Sequence, residues 1–244
     1  MEEWLGRTRL MFGEAGMQGL MKASVLIVGV GGVGGAAAEM LVRSGIGHVT
    51  IVDNDCIQSS NINRQLIATH DVIGCSKAET WASRLRSIHP QLDVHIRNEF
   101  LQEDNVDEIL DERPYDYVVD AIDTVTPKVM LLAACHQRGV PVVSSMGSGG
   151  KTDPSQIRLA DISKTNYCPL AKVVRTRLAK MGIKHGITCV YSTEPIDKRC
   201  VLEVSGERYK KTTTGTVSYM PNLFGCWLAS HVIREIVKQT ENND

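Results

Sequence analysis

The chain has 244 residues, 43% of them hydrophobic and 23% charged, and a net charge of -1, which is ordinary globular material, enough for one sizeable core. The start, MEEWLGRTRL, has no apolar signal core, and no apolar run approaches the roughly 18 residues of a membrane span. A soluble cytoplasmic protein is therefore expected.

The predicted elements alternate along the chain, with no internal repeat and no low-complexity segment. SVLIV at 24–28 is a short apolar run with glycines directly behind it, as in a buried parallel strand. Residues 36–43 read as a helix closing at Gly45, and HVTIV at 48–52 as a second strand, which completes a βαβ unit. Residues 77–88 read as a helix stopping before Pro90, 92–96 as a strand, and 104–110 as a helix capped by Asp104. Strands are expected at 115–119 and 140–144, with a helix at 127–137 between them. Thr126 is its expected cap, Pro127 lies in its first turn and Gly139 just past its end. The pattern predicts an α/β fold with a doubly wound, largely parallel, Rossmann-like sheet.

Beyond Ser145 the alternation weakens. The loop Gly147-Ser148-Gly149-Gly150 is followed by a strand at 157–159, a basic helix at 169–181 and a strand at 187–191. An irregular stretch to about Gly215 then precedes a terminal helix at 222–238, a C-terminal extension. Residues 1–244 read as a single domain, with 146–215 as an insertion or substrate-binding region within it. From Ile162 to Thr193 there is no acidic residue, but Lys164, Lys172, Arg175, Arg177, Lys180 and Lys184 fall there, so a local basic face is expected. The seven cysteines are scattered singly with no CxxC pair, which reads as reduced thiols and argues against a paired-cysteine zinc site.

Gly29-Val30-Gly31-Gly32-Val33-Gly34 follows the first strand and opens the first helix, the context in which G-x-G-x-x-G binds phosphate through backbone N–H groups. Gly29, Gly31, Gly32 and Gly34 are the candidate cradle, and Asp53, about 20 residues on, can accept from ribose hydroxyls. The bland alternative is that the glycines only allow tight strand–helix packing. Fingerprint and acid alone would also suit an NAD dehydrogenase.

The following residues favour a triphosphate: Asp53-Asn54-Asp55, Asn61-Ile62-Asn63-Arg64-Gln65, Gly74-Cys75-Ser76-Lys77 and Asp120-Ala121-Ile122-Asp123. A triphosphate under attack needs cations on its oxygens and a carboxylate for the bridging metal. Arg64 and Lys77 can provide the cations and Asp123 the carboxylate, whereas in the bland reading Arg64 and Lys77 are solvated surface charges and Asp120 serves only structure.

At these residues, over about 5 to 145, the sequence resembles the ThiF, MoeB and ubiquitin-activating superfamily. The resemblance implies ATP-dependent adenylation of a carboxylate. It implies Asp53 as ribose ligand, Asn61, Arg64 and Lys77 as triphosphate ligands, and Asp123 as the magnesium aspartate; Asp55 is grouped with the nucleotide ligands without an assigned role. Arg7, six residues before Gly13, has the spacing of the family's arginine that reaches into the partner subunit's ATP site, which implies a homodimer. Outside that family it would be a solvated charge on an exposed terminus.

Sulfur-carrier activators usually carry two CxxC zinc pairs and ubiquitin-type activators a catalytic-cysteine domain, and this chain has neither. GSGGKTDPSQI at 147–157, Asp161, Lys164-Thr165, PLAKVVR at 169–175, VYSTE at 190–194 and Phe224-Gly225 resemble the bacterial tRNA threonylcarbamoyladenosine dehydratases over almost the whole chain. Cys168 departs from the acidic residue expected there and is given no role. The implied substrate is a threonyl carboxylate on a modified tRNA adenosine, closed into a hydantoin-type ring. Lys172, Arg175, Arg177 and Lys180 are the candidate tRNA contacts, against the alternative of a solvated helix face.

The expected cofactors are ATP and Mg2+, with a monovalent cation as a further candidate. A sulfur-transfer partner acting through Cys189 or Cys200 is weighed against their reading as buried or incidental thiols, which is preferred. The runner-up function is adenylation of a ubiquitin-like sulfur-carrier protein, against which the missing CxxC pairs count. A nucleotide-binding regulator or NAD enzyme without adenylation is the third, disfavoured by Arg64, Lys77 and Asp123.

Overall fold

Strand β1 (Ser24–Val28) is apolar from Val25 onward because both of its faces are covered: Val25 and Ile27 join one core cluster, Leu26 and Val28 the other. In the computed structural model, which describes residues 3–203 and 212–241, β1 is followed by β2 (His48–Val52), β3 (Asp93–Arg97), β4 (Tyr117–Asp120), β5 (Val142–Ser145), β6 (Ile157–Asp161) and β7 (Thr188–Ser192). They form one sheet in the order β3-β2-β1-β4-β5-β7-β6, parallel except for the edge strand β6, which runs antiparallel to β7. This is the doubly wound Rossmann-like arrangement expected from the alternation.

The helices are α1 (Gly6–Lys22), α2 (Gly32–Arg43), α3 (Lys77–Ile88), α4 (Val106–Asp111), α5 (Val125–Arg138), α6 (Pro169–Lys180) and α7 (Tyr219–Glu241). One core holds Met17 and Leu20 of α1, Leu41 of α2, Trp81 of α3 and Phe224 and Leu228 of α7; the other holds Ile109 of α4, Leu131 and Leu132 of α5, and Val174 and Leu178 of α6. A short hairpin, β8 (Val201–Glu203) with β9 (Thr212–Thr214), lies within the stretch read as irregular. None of the described helices is long and apolar enough to cross a membrane.

Several boundaries differ from the sequence reading. Helix α2 begins at Gly32 rather than at 36, because the glycines form its first turn: a Cβ at Gly34 would lie 1.8 Å from the Gly29 carbonyl oxygen. Asn105, not Asp104, stands at the N-terminal boundary of α4, without a side-chain cap bond; its carboxamide instead holds the preceding loop, accepting from Gln102 N and donating to Phe100 O. Thr124, not Thr126, precedes α5, while Gly139 ends it in the left-handed conformation, at φ 69°, as expected. Tyr115 is buried but lies ahead of β4, where Asp116 instead ties to Ser24: Asp116 N donates to Ser24 O and Ser24 N to the Asp116 carboxylate. Helix α1 is interrupted at Gly13, whose φ of 68° no other residue type adopts cheaply.

Candidate nucleotide site

The loops that leave β1, β2 and β4 meet at the carboxyl ends of three adjacent strands, where the strand order reverses between β1 and β4. Their backbones interlock. Gly29 N donates to Val52 O, Val30 N to Asp53 Oδ2 at 2.8 Å, Ala121 N to Val28 O, and the Trp81 indole to Val30 O at 2.9 Å. Gly29, at φ 85°, takes a turn that also brings the Ala121 carbonyl to 3.0 Å from where a Cβ would be.

Gly31 differs from its neighbours in facing open space, its nearest group being Gln65 Nε2 at 3.6 Å from an added Cβ. No side chain caps α2 at Gly31, so the N–H groups of the first turn are directed at that space together with the positive end of the helix dipole. Among the described residues, the Oε1 of buried Gln65 has no hydrogen-bond partner. The tight-packing alternative therefore describes Gly34, while Gly31 has the room an anion needs.

Around this cradle the structure gathers most of the expected ligands. Asp53 accepts from Val30 N and Asp55 N, and burial pushes its carboxyl above the usual carboxylate range against the pull of Lys77. Lys77 is buried and pairs with Asp55 at 2.7 Å, their side chains being 8% and 62% exposed, which removes the solvated-charge reading for this lysine. Asn61 is buried and holds a turn: its Oδ1 accepts from Gln58 N, and its carbonyl accepts from Arg64 N. That turn sets the Arg64 backbone against the glycine loop, with Arg64 O 3.1 Å from a Cβ at Gly32. The guanidinium is half-buried and donates to Ser60 O and Asn63 Oδ1.

Beyond β4, Asp120 and Asp123 have different surroundings. Asp120 is fully buried, paired with Lys128 Nζ at 2.5 Å and accepting from Ser144 Oγ and from Ile122 N. It therefore shapes the turn that carries Asp123, which is exposed. Lys128 escaped the sequence reading. Its signal was a lone lysine in the apolar run PKVMLLAAC, eight residues after an aspartate at a strand end.

Helix α6 borders this crevice. Near its start Cys168 Sγ would lie 3.5 Å from a Cβ on Gly147, in the loop after β5, and towards its end Arg177 donates to Thr126 Oγ1 at 3.0 Å, just past Asp123. Lys172, Arg177 and Lys180 are exposed; Arg175 is half-buried and donates to Thr165 O and Oγ1, so it holds the preceding turn. Cys168, where an acidic residue was expected, caps α6 by accepting from Ala171 N.

The GSGGKTDP segment is fastened at several points. The Glu194 carboxylate accepts from Thr152 N, Thr152 Oγ1 and Asp153 N. The Tyr219 hydroxyl donates to Thr152 O, and buried Lys151 donates to Glu194 O. Cys189 is fully buried, which holds its thiol far above the ordinary range, and Cys200 donates to Asp197 O at 2.8 Å. Arg7 is exposed in the first turn of α1, close in sequence to Leu10 and Met11, which are 87% and 77% exposed.

Residues 5–244 match the ThiF family. The chain belongs to the ThiF family. Among its relatives, the tRNA threonylcarbamoyladenosine dehydratase of Bacillus subtilis is 37% identical over 96% of this chain and 95% of its own. Crystal structures of Escherichia coli tRNA N6-threonylcarbamoyladenosine dehydratase, TcdA, with ATP and with AMP are similar at TM-scores of 0.90 and 0.87. Their identities are 34% and 36%, over 99% and 97% of this chain and 97% and 95% of theirs. The adenylyltransferase and sulfurtransferase MOCS3 of Drosophila sechellia is 39% identical, but over only 58% of this chain and 30% of its own.

Proposed function

We propose that this chain is an ATP-dependent tRNA threonylcarbamoyladenosine dehydratase, acting as a homodimer. The observation that carries the reading is the extent of similarity: it runs through α6, the GSGGKTDP loop and α7 with the dehydratases, but covers just over half the chain with the sulfur-carrier activator.

The residues suit the chemistry. A carboxylate oxygen of the threonyl group attacks the α-phosphorus of ATP, and the bond to pyrophosphate breaks. The carbamoyl nitrogen then attacks the activated carbonyl carbon, loses its proton, and AMP leaves with the former carboxylate oxygen, so the nucleoside is lighter by one water. The second step is intramolecular, and orientation supplies much of its rate without a covalent enzyme intermediate.

In this site the Gly31 and Gly32 N–H groups receive phosphate oxygens, Asp53 receives the ribose, and Arg64 and Lys77 neutralise the departing pyrophosphate. Asp123 would hold Mg2+ together with phosphate oxygens and water, and the ion would supply charge neutralisation there. That fits a site where, among the described residues, no three His, Cys, Asp or Glu side chains are clustered to hold a metal by themselves. Arg7 completes the partner subunit's site, and exposed Leu10 and Met11 beside it give the dimer interface apolar surface to bury.

The test is mass spectrometry of nucleosides from modified tRNA, digested under mild conditions. The adenosine should become lighter by one water only when enzyme and ATP are both present. An unchanged nucleoside, with a carrier's Gly-Gly terminus adenylated instead, would transfer the site to the runner-up function.

A further inference from the structure

Five tyrosines fall within the described residues, and four have evident structural roles. Tyr115, Tyr117 and Tyr191 are buried, and the Tyr219 hydroxyl is engaged by Thr152. Tyr167 is different. It is 65% exposed, its hydroxyl makes no hydrogen bond among the described residues, and its backbone stands at φ 51°, the only non-glycine residue described with positive φ. A bulky side chain disfavours that conformation, and turns that need it usually use Gly or Asn. Packing gives no return for it here, since the ring is mostly in water.

The conformation is imposed from both sides. Thr165 is buried, donates to Ile162 O, and accepts from Arg175 at 2.6 Å; Cys168 is buried and caps α6. Between these two anchors the chain bends at Tyr167, whose ring is exposed. Its sequence neighbourhood carries cations: Lys164 is exposed just before, Lys172 is exposed on α6, and the sequence from Ile162 to Thr193 contains no Asp or Glu. The neighbouring Cys168 is against Gly147, so the chain that carries this ring passes close to the loop after β5, which adjoins the candidate nucleotide site.

We infer that Tyr167 is a base-stacking platform for the anticodon loop, working with the phosphate-directed cations Lys172 and Lys180 to bring the modified adenosine to the crevice. This rests on the tRNA reading above. Single-stranded bases are gripped by stacking on exposed aromatic rings set among cations, and a ring held in place loses little freedom when a base covers it.

The test measures affinity for an anticodon stem-loop carrying threonylcarbamoyladenosine, with ATP affinity measured alongside. Tyr167→Ala and Tyr167→Gly should each weaken RNA binding by about tenfold, while Tyr167→Phe keeps it within about twofold and ATP affinity is unchanged in all three. Glycine should also raise the thermal midpoint by relieving the backbone, so the more stable variant binds RNA worse, which a structural role for the side chain would not produce. Lys172→Ala with Lys180→Ala should weaken binding and flatten its salt dependence. If that pair does so but Tyr167→Ala binds normally, the stacking role is overturned and the tRNA reading stands. If neither substitution alters RNA binding, both are overturned. Normal binding by the glycine variant alone would assign the effect to the backbone and also refute the proposal.

Discussion

The buried pair beneath the nucleotide site can be tested through Lys128→Met. Lys128 and Asp120 are both completely buried, and the ammonium uses all three donors: Asp120 Oδ2 at 2.5 Å, Ser144 Oγ at 3.2 Å and Ser145 O at 2.9 Å. Methionine matches the length but removes the charge, leaving Asp120 with Ser144 Oγ and Ile122 N, neither of which neutralises it. Breaking one side of a buried pair costs about 3–5 kcal/mol. For a chain of this size each kcal/mol moves the melting midpoint by about 2–4 °C, so a fall of roughly 6–20 °C is expected in thermal denaturation followed by circular dichroism. Asp120→Asn combined with Lys128→Met should recover part of the loss, because no charge is then stranded. AMP release by the single mutant, assayed well below its midpoint, should also fall, since Asp120 shapes the turn carrying Asp123. A midpoint within about 3 °C of the original, or a double mutant worse than the sum of the singles, would refute this account of the pair.

Glu39 gives a pH prediction. Burial alone would raise its carboxyl, but hydrogen bonds from Arg84 and Arg43 outweigh that and hold it below the usual range. Its contribution to stability is then present above the unfolded carboxyl value and lost as pH falls through the lower folded value, so Glu39→Gln should flatten the acid side of a stability–pH curve. The loss near neutrality should be about 1–2 kcal/mol, because both arginines are partly solvated and screened. If the proposed homodimer forms, Arg7→Ala and Asp123→Ala should each be folded and inactive in AMP release, and mixing them with subunit exchange should restore part of the activity. No recovery would remove Arg7 from the partner's site.

Elements bounded by local chemistry were legible in the sequence. Helix α3 runs over the predicted 77–88 because Ser76 caps it and Pro90 lies just beyond, and β1 and β2 match because their apolar runs end at turn-forming residues. The residues of the candidate nucleotide site were legible as a group, because they follow the strand ends in chain order and the fold brings those ends together. What escaped depends on contacts remote in sequence. Lys128 has meaning only once β5 brings Ser144 and Ser145 to it, and Glu194 only once β7 sets it beside Thr152, 42 residues away. Arg175 could not be separated from its neighbours by charge; the helix angle that turns it towards Thr165 decides its role. Tyr167 was hidden for a related reason, since neither exposure nor positive φ is written in a single tyrosine between Asn166 and Cys168.

The two lysine–aspartate pairs near the crevice differ in a way that separates structure from chemistry. In the Lys128–Asp120 pair both groups are fully buried, so neither can change partner without stranding a charge, and the pair can only hold the turn in place. In the Lys77–Asp55 pair the lysine is buried but the aspartate is mostly in water. In the proposed site, phosphate oxygens of ATP would take over the ammonium while Asp55 returns to solvent at little cost, and the cation would keep a counter-charge throughout. The burial of Lys77 would also strengthen its attraction to the phosphates relative to a cation in bulk water. On the proposed function, exposure of the acid partner, more than the distance between the charges, would therefore let Lys77 exchange its carboxylate for a phosphate, whereas Lys128 has no such exposed partner to release.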